Sequence, residues 1–309
     1  MRQQILTISL CCVFILSALS DVLSQPLHRT DLSNLRVNAF AQDSLGYIWI
    51  ATANGLCKSF GESYDVFFYD EADEHSIPSN LITGLYVDDA SKLWISTGKG
   101  ICSMARGKYE FHRYSQSTST GMESFFLGFV QYAGRIYTYG YNGLYEIDEK
   151  NKTLIPRIEV DRQVIYGAVT DSHGNLWLTN GAELIKLDRS LSLISKIVVG
   201  RDDVVNCMVS DREKILLGTE NGIKLLDLHS LEISDGDFPH ALDDLRINQM
   251  LPVDGGRKLL ISTRNKGALV YDMETRDVIS RYNNDEFADI PEGGRRFRVF
   301  KAFFGQAHA

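Results

Sequence analysis

The chain has little of what marks an enzyme, a nucleic-acid binder or a disulfide-stapled module. Of its 309 residues only 6 are proline, 5 cysteine and 3 tryptophan. Cys11 and Cys12 fall in an N-terminal apolar run, which leaves Cys57, Cys102 and Cys207, an odd number with no CxxC pair and no zinc-ligand spacing. No disulfide framework is implied. These three read as small buried apolar residues, with Cys57 and Cys102 not bonded to each other. The seven histidines are scattered, so no metal and no cofactor is expected. Basic residues are also short, with 32 Lys and Arg against 40 Asp and Glu and a net charge of −8. Neutralising phosphate needs clustered cations, so no direct nucleic-acid binding is expected. Sustained 3.6-residue apolar periodicity is missing between residues 27 and 290, which argues against a helical core.

There is one long uncharged run, Ile5 to Leu19, behind Arg2. Ala18 and Ser20 supply small residues at the −3 and −1 positions of a cleavage site, and Ser24 offers a second. Residues 1–20 therefore read as a signal peptide of an exported protein. The run is short for a bilayer span, which needs about 20 residues. Membrane contact is expected only through an uncleaved signal or through a transmembrane helix that this chain lacks.

What the sequence does have is a repeat of about forty residues. Its template is the run from Asp43 through Gly46, Trp49 and Thr52 to Gly55. Asp88, Trp94, Thr97 and Gly100 repeat it, and Gly134, Tyr137 and Gly143 form a weaker third copy. The fourth has Asp171, Gly174 and Trp177, the fifth Thr219 and Gly222, and the sixth Thr263. Positions equivalent to the tryptophan are Trp49, Trp94, Tyr137, Trp177, Leu216 and Leu260. A period of about 40–45 residues suits one four-stranded propeller blade. Each copy holds four short β-rich segments separated by turn chemistry, in the first copy Val37 to Gln42, Tyr47 to Thr52, Leu56 to Phe60 and Asp65 to Tyr69. In Asp-x-x-Gly the carboxylate holds the turn and glycine supplies positive φ. Asn-Gly at 54–55, 142–143 and 221–222 signals a hairpin. Ile48-Trp49-Ile50 is apolar on both strand faces, as a sheet sandwiched between two others requires.

The expected fold is therefore all-β, a β-propeller of four-stranded antiparallel blades over 25–290. Six blades are readable, near 35–70, 80–115, 123–150, 163–197, 203–235 and 245–282, with a seventh incomplete. An open six-bladed arc would leave a sheet face uncovered. Strand A of each blade should be innermost and strand D outermost, and Pro26 to Thr30 would complete the outer edge of the last blade. Residues 291–309 form a basic, phenylalanine-rich tail, read as a truncated or frame-shifted blade.

The string Gln42 to Leu56 resembles the two-component regulator propeller repeat, and Tyr69-Asp70 with Ser76 to Ile82 resembles the linker before the next copy in that family. The resemblance covers about residues 27–283 and is strongest in repeats one, two and four. It implies the periplasmic sensor region of a hybrid two-component regulator, truncated before the histidine kinase. It further implies an oligosaccharide ligand and, in the full-length context, a homodimer. The alternatives compatible with the architecture are a propeller-type polysaccharide lyase or hydrolase and a periplasmic protein-interaction scaffold.

No catalytic constellation stands out. The acidic run Asp70, Glu71, Asp73, Glu74 does not have EF-hand spacing and reads as a solvated loop. Gly98-Lys99-Gly100 and Asp254-Gly255-Gly256 read as turns, without the strand-to-helix setting of a phosphate loop. The repeated tryptophans read as packing between blades. In blade topology the D-to-A and B-to-C loops emerge on one face around the central channel, and non-repeated residues there are the ligand candidates. They are Arg36, Asn54, Lys99, Tyr141, Asn142, Arg246 and Arg264.

Overall fold

The structure is a computed structural model and describes residues 27–282, apart from 30–32, 35–36, 61–62, 106, 117–124, 201–202 and 265–267. The signal peptide, Arg36, the start of a seventh blade and the 291–309 tail lie outside the described residues.

Every described element longer than three residues is a strand, and the strands fall into six blades. Blade 1 is β2 (Val37–Gln42), β3 (Ile48–Thr52), β4 (Gly55–Phe60) and β5 (Ser63–Phe67), with β1 (Leu27–Arg29) outside it. Blade 2 is β6 (Ile82–Val87), β7 (Leu93–Thr97), β8 (Gly100–Met104) and β9 (Phe111–Gln116). Blade 3 is β10 (Phe126–Tyr132), β11 (Arg135–Asp148) and β12 (Thr153–Val164). Blade 4 comprises β13 (Gly167–Thr170), β14 (Leu176–Thr179), β15 (Glu183–Leu187) and β16 (Leu193–Val198). Blade 5 comprises β17 (Val205–Asp211), β18 (Lys214–Thr219), β19 (Gly222–Asp227) and the short β20 (Ile233–Ser234). Blade 6 is β21 (Ile247–Val253), β22 (Lys258–Thr263), β23 (Ala268–Asp272) and β24 (Val278–Tyr282).

The first half of β11 pairs with β10 and its second half with β12. A straight strand would hold Arg135 and Glu146 about 36 Å apart, yet their side chains form an ion pair. The segment therefore folds back on itself, at Asn142 (φ 67°) and Gly143 (φ 137°). A Cβ at Gly143 would stand 1.9 Å from the Ile158 carbonyl oxygen, so only glycine fits. Blade 3 thus has the B-to-C hairpin its Asn-Gly foretold.

Two pairings depart from the sequence expectation or go beyond it. β1 pairs antiparallel with β5, Leu27 opposite Val66, and so covers the outer edge of blade 1 instead of blade 6. The β5 edge offers free backbone groups only a short chain reach away. In addition β9 and β12 join in parallel through Ser115 and Thr153, which fuses blades 2 and 3 into one seven-stranded sheet.

The repeat signature is a hydrogen-bonding device. Asp43, Asp88 and Asp171 accept the indole N–H of Trp49, Trp94 and Trp177 at 3.0, 2.8 and 2.8 Å. The other oxygen of each carboxylate closes the A-to-B turn by accepting backbone N–H groups, from Tyr47, Lys92 and Asn175 respectively. At the other end of strand B, the hydroxyls of Thr52, Thr97 and Thr219 donate to the carbonyls of Gly55, Gly100 and Gly222, and accept the N–H of the residue two ahead. Burial alone would raise the Asp171 carboxyl. The hydrogen bonds from the Asn175 backbone, the Trp177 indole and the Asn175 amide outweigh it and hold the pKa below the ordinary carboxylate value.

Packing between blades follows strand alternation. Trp49 faces blade 2 with Ile82, Ile95 and Phe111, while Ile48 and Ile50 face the other way. Trp94 packs with Phe126 and Phe129 of blade 3, Tyr137 with Leu176 and Leu178 of blade 4, and Trp177 with Val205 and Ile215 of blade 5. Leu216 meets Ile247 and Ile261 of blade 6. The equivalent residue of blade 6, Leu260, is buried with Phe40, Ile48, Ile50 and Val66 of blade 1. Among the described residues the ring therefore closes through one repeated position, and the face expected to be uncovered is covered. A buried tryptophan removes about 200 Å² from water, worth at most about 5 kcal/mol. Cys57 lies in the blade 6–1 core and Cys102 in the blade 1–2 core, both as free thiols. Burial pushes the Cys102 thiol far up and that of Cys207 to about 12.

Candidate functional site

The innermost strands β2, β6, β10, β13, β17 and β21 neighbour one another around the axis. Five of them, all but β13, carry a β-bulge at their second residue, namely Asn38, Thr83, Leu127, Asn206 and Asn248. A bulge takes a residue out of the ladder and re-aims its side chain. Asn38, Thr83 and Asn206 use that freedom to donate to the carbonyls of Ile82, Phe126 and Ile247, the first residues of the next inner strand, at 2.7, 2.7 and 3.0 Å. At the blade 6–1 junction the link differs, because the Phe40 N–H donates to Gln249 Oε1 at 3.1 Å.

In blades 2 to 6, two residues per blade stand just past these strand ends and form the channel mouth. One precedes strand A and the other follows strand B, and their backbones are tied. Gly98 N–H donates to Leu81 O, Tyr141 to Phe125, Glu220 to Val204 and Arg264 to Arg246, over 2.8 to 3.2 Å. In blade 4 the bond shifts by one residue, Tyr166 N–H to Thr179 O. The residues following strand B are Ala53, Gly98, Tyr141, Asn180, Glu220 and Arg264, and those preceding strand A in blades 2 to 6 are Leu81, Phe125, Tyr166, Val204 and Arg246. None of these positions obeys the repeat. Blades 3 and 4 contribute aromatic rings, with Phe125 and Tyr166 exposed. Blades 5 and 6 contribute charge. In a six-membered ring blade 3 stands across the axis from blade 6, so Phe125 and Tyr141 lie on the opposite side of the mouth from Arg246 and Arg264.

Of the residues singled out from sequence, Arg246 and Arg264 come together. Both reach Glu220 of blade 5, Nε of Arg246 at 3.7 Å and Nη1 of Arg264 at 3.8 Å. Asn206 Nδ2 donates to Glu220 Oε1 at 3.0 Å. Close by, Asp203 accepts from Asn221 and pairs with Lys224, whose pKa is raised mainly by its hydrogen bond to Asp235 and further by Asp203. Tyr141 lies beside Phe125. Lys99 sits by Tyr69, its Nζ 5.9 Å from the centre of the ring, and Arg113 flanks the same ring at 5.7 Å. Asn54 and Asn142 occupy turn tips, so the structure does not bring Asn54, Lys99 and Asn142 into the Arg246–Arg264 group. The acidic run at 70–74 makes turns, with Asp70 capping Ala72 and Asp73 capping His75, and Arg113 clamps the loop through Ser76.

Sequence reasoning missed Phe125, Tyr166, Val204, Glu220 and Asn206. The first three occupy the register that singled out Arg36 and Arg246, so applying that register to every blade would have found them. Glu220 follows strand B as Arg264 does.

Residues 31–54 match the family described as Two component regulator propeller. No curated protein matches the chain significantly. Among solved structures it is similar to the extracellular domain of the putative hybrid two component system BT3049 from B. thetaiotaomicron, with a TM-score of 0.65 at 18% identity, over 84% of this chain and 38% of that one. The extracellular domain of the putative hybrid two component system BT4673 from the same organism gives 0.62 at 19% identity, over 84% and 38%. Virginiamycin B lyase from Staphylococcus aureus gives 0.56 at 15% identity, over 80% and 88%. Identities this low make the likeness one of fold, and the chain spans only 38% of the length of the two-component relatives. The chain is an all-β propeller that carries the two-component regulator propeller repeat.

Proposed function

We propose that this propeller is the periplasmic ligand-sensing part of a hybrid two-component signalling protein, that it binds an oligosaccharide at the channel mouth, and that binding regulates a histidine kinase outside this chain. The regulator-type repeat and the extracellular domains that share the fold support the setting. The observation that carries the ligand is the two-sided mouth. Aromatic faces at Phe125, Tyr141 and Tyr166 suit the C–H faces of sugar rings, and Arg246, Arg264 and Asn180 across and beside them suit hydroxyl or charged groups. Signalling would follow from unequal affinity for two arrangements of a sensor dimer, since a ligand moves an equilibrium only through such a difference.

The test is calorimetric titration of the full chain with a panel of oligosaccharides, beside the Phe125→Ala and Tyr166→Ala variants. The expected result is saturable binding by at least one sugar, weakened about tenfold in each variant with the circular dichroism spectrum unchanged, as loss of one stacked ring predicts. A panel without a single binder overturns the proposal. A second reading, a propeller-type polysaccharide lyase or hydrolase, draws on the fold shared with virginiamycin B lyase over most of both chains. Release of cleavage products from the same panel would select it, and capture of a periplasmic protein without any sugar effect would select a scaffold.

A further inference from the structure

The two-sided character of the mouth continues one layer down, in the neck of the channel. A bulge frees the second residue of an inner strand, and in blades 1, 2 and 5 that residue is tied to the next blade, through the Asn38, Thr83 and Asn206 bonds. Blade 4 has no such residue, because Gly167 pairs with Thr179 and Ala168 with Leu178 without a break. That leaves Leu127 of blade 3 and Asn248 of blade 6, on strands that stand across the axis from each other. Leu127 is only partly buried, and its side chain has no polar group to link with. Asn248 has the same amide as Asn38 and Asn206, yet at its junction Gln249 has taken over the link by accepting the Phe40 N–H at 3.1 Å. The Asn248 side chain is exposed and hydrogen-bonds to no described residue. An open amide therefore stands below the charged side of the rim, and an apolar side chain below the aromatic side.

We infer that the neck receives a terminal sugar residue end-on, with Asn248 reading its adjacent hydroxyls and Leu127 meeting its C–H face. This rests on the sensor reading above and deepens it, from an oligosaccharide at the mouth to one recognised by its end. A side-chain amide offers two N–H donors and a carbonyl acceptor. Neighbouring ring hydroxyls offer the complement, one accepting while the other donates. The neck side chains Asn38, Thr83, Leu127, Asn206 and Asn248 are all uncharged, so the residue they suit is a neutral one. An internal residue of a glycan carries chain on both sides and stays at the rim, whereas a terminal residue can enter a closed ring of strands. Asn248 is also well placed to discriminate. Ladder pairs on either side of it, Ile247 with Thr263 and Gln249 with Ser262, fix its backbone on a strand and not on a loop.

The probes are linear hexasaccharides of glucose, galactose, mannose and xylose, with any further binder from the panel above, each beside its long, soluble, unbranched polymer. Calorimetry on the full chain reads affinity and stoichiometry together. For a sugar that binds, recognition by the end gives the same number of proteins per glycan chain at both lengths. A number that rises with length means binding along the chain, which overturns the inference and leaves the sensor reading standing. Asn248→Ala should weaken the hexasaccharide about tenfold, as the loss of hydrogen bonds to the ligand predicts. Its melting temperature should stay unchanged, because the native amide holds no other part of the protein. Affinity that does not fall in Asn248→Ala, or that falls together with the melting temperature, also overturns the inference. Phe125→Ala weakens binding in either geometry and so reports on the sensor reading alone. No binding by any probe or by the wider panel overturns both.

Discussion

Replacing Asp171 by alanine isolates the interaction on which the repeat turns. The Asp171 side chain accepts the Trp177 indole N–H at 2.8 Å, the Asn175 N–H at 2.8 Å and the His173 N–H at 3.0 Å. The two backbone donors sit in a turn that water reaches, so their loss costs about 0.5–1 kcal/mol together. The indole is different. Trp177 is fully buried, and without Asp171 its N–H has no acceptor, which costs about 1–3 kcal/mol. The expected total is about 2–4 kcal/mol, a fall in melting temperature on the order of 5–10 °C. Asp211 is the control, because it ends strand A at the A-to-B turn of blade 5, where Leu216 stands at the tryptophan position and has no polar hydrogen to satisfy. Asp211→Ala should cost under about 1 kcal/mol, the usual range for a partly exposed site. Urea unfolding followed by far-ultraviolet circular dichroism reads both, since fluorescence would weight the three tryptophan blades unequally. Equal losses within about 0.5 kcal/mol would refute the claim that the carboxylate–indole bond, and not the turn, carries the stability.

Because the folded-state pKa of Asp171 lies below the ordinary value, its contribution is fully present above the unfolded carboxylate pKa of about 4 and is lost as the pH falls through the folded value. The stability difference between the native chain and Asp171→Asn should therefore shrink below about pH 4 in acid titrations of urea midpoints. Leu260→Ala should cost about 2–4 kcal/mol if blade 6 truly closes on blade 1, and a loss below about 1 kcal/mol would mean an open seam. Gly143→Ala should prevent cooperative folding, or cost more than about 3 kcal/mol, because its Cβ would collide with Ile158. At Gly134 (φ 74°), where the added Cβ meets open space, the same change should cost only about 1 kcal/mol in the same melt.

The parts of the fold legible in the sequence are those that local chemistry dictates. Asp-x-x-Gly, Thr-x-x-Gly and the apolar run around each tryptophan each name a backbone conformation and a buried face within six residues. Four-stranded blades follow from them without knowledge of any distant contact. Leu216 and Leu260 show the same logic where the tryptophan is gone, since the register set by Thr219 and Thr263 still puts a large apolar side chain on the next blade. What remained hidden depends on partners far apart in sequence. The three residues of β1 carry no turn signal to say which edge they join, and the parallel β9–β12 contact is decided by the approach of two blades. Bulges at Asn38, Thr83 and Asn206 leave no mark in composition. In the position before strand A, charge draws attention to Arg36 and Arg246 in the sequence, while Phe125, Tyr166 and Val204 pass as ordinary apolar residues.

The same contrast explains why a repeating fold can host a non-repeating site. A residue packed between two blades is enclosed by two facing sheets, so replacing its volume leaves a cavity or a clash. Trp49, Trp94, Tyr137 and Trp177 are held large for that reason. One step past the strand end, the backbone is still fixed by the A–B hydrogen bond, as between Arg264 and Arg246 or Tyr141 and Phe125, but the side chain has left the sandwich. A substitution there alters little buried area and costs little stability. Gly98, Tyr141, Glu220 and Arg264 occupy one geometric position in four blades and share no property. Rigid placement with free choice of side chain is what preorganised recognition requires. A binding site on this ring is therefore expected where the repeat breaks down at constant backbone geometry, which is the rim formed by blades 3 to 6.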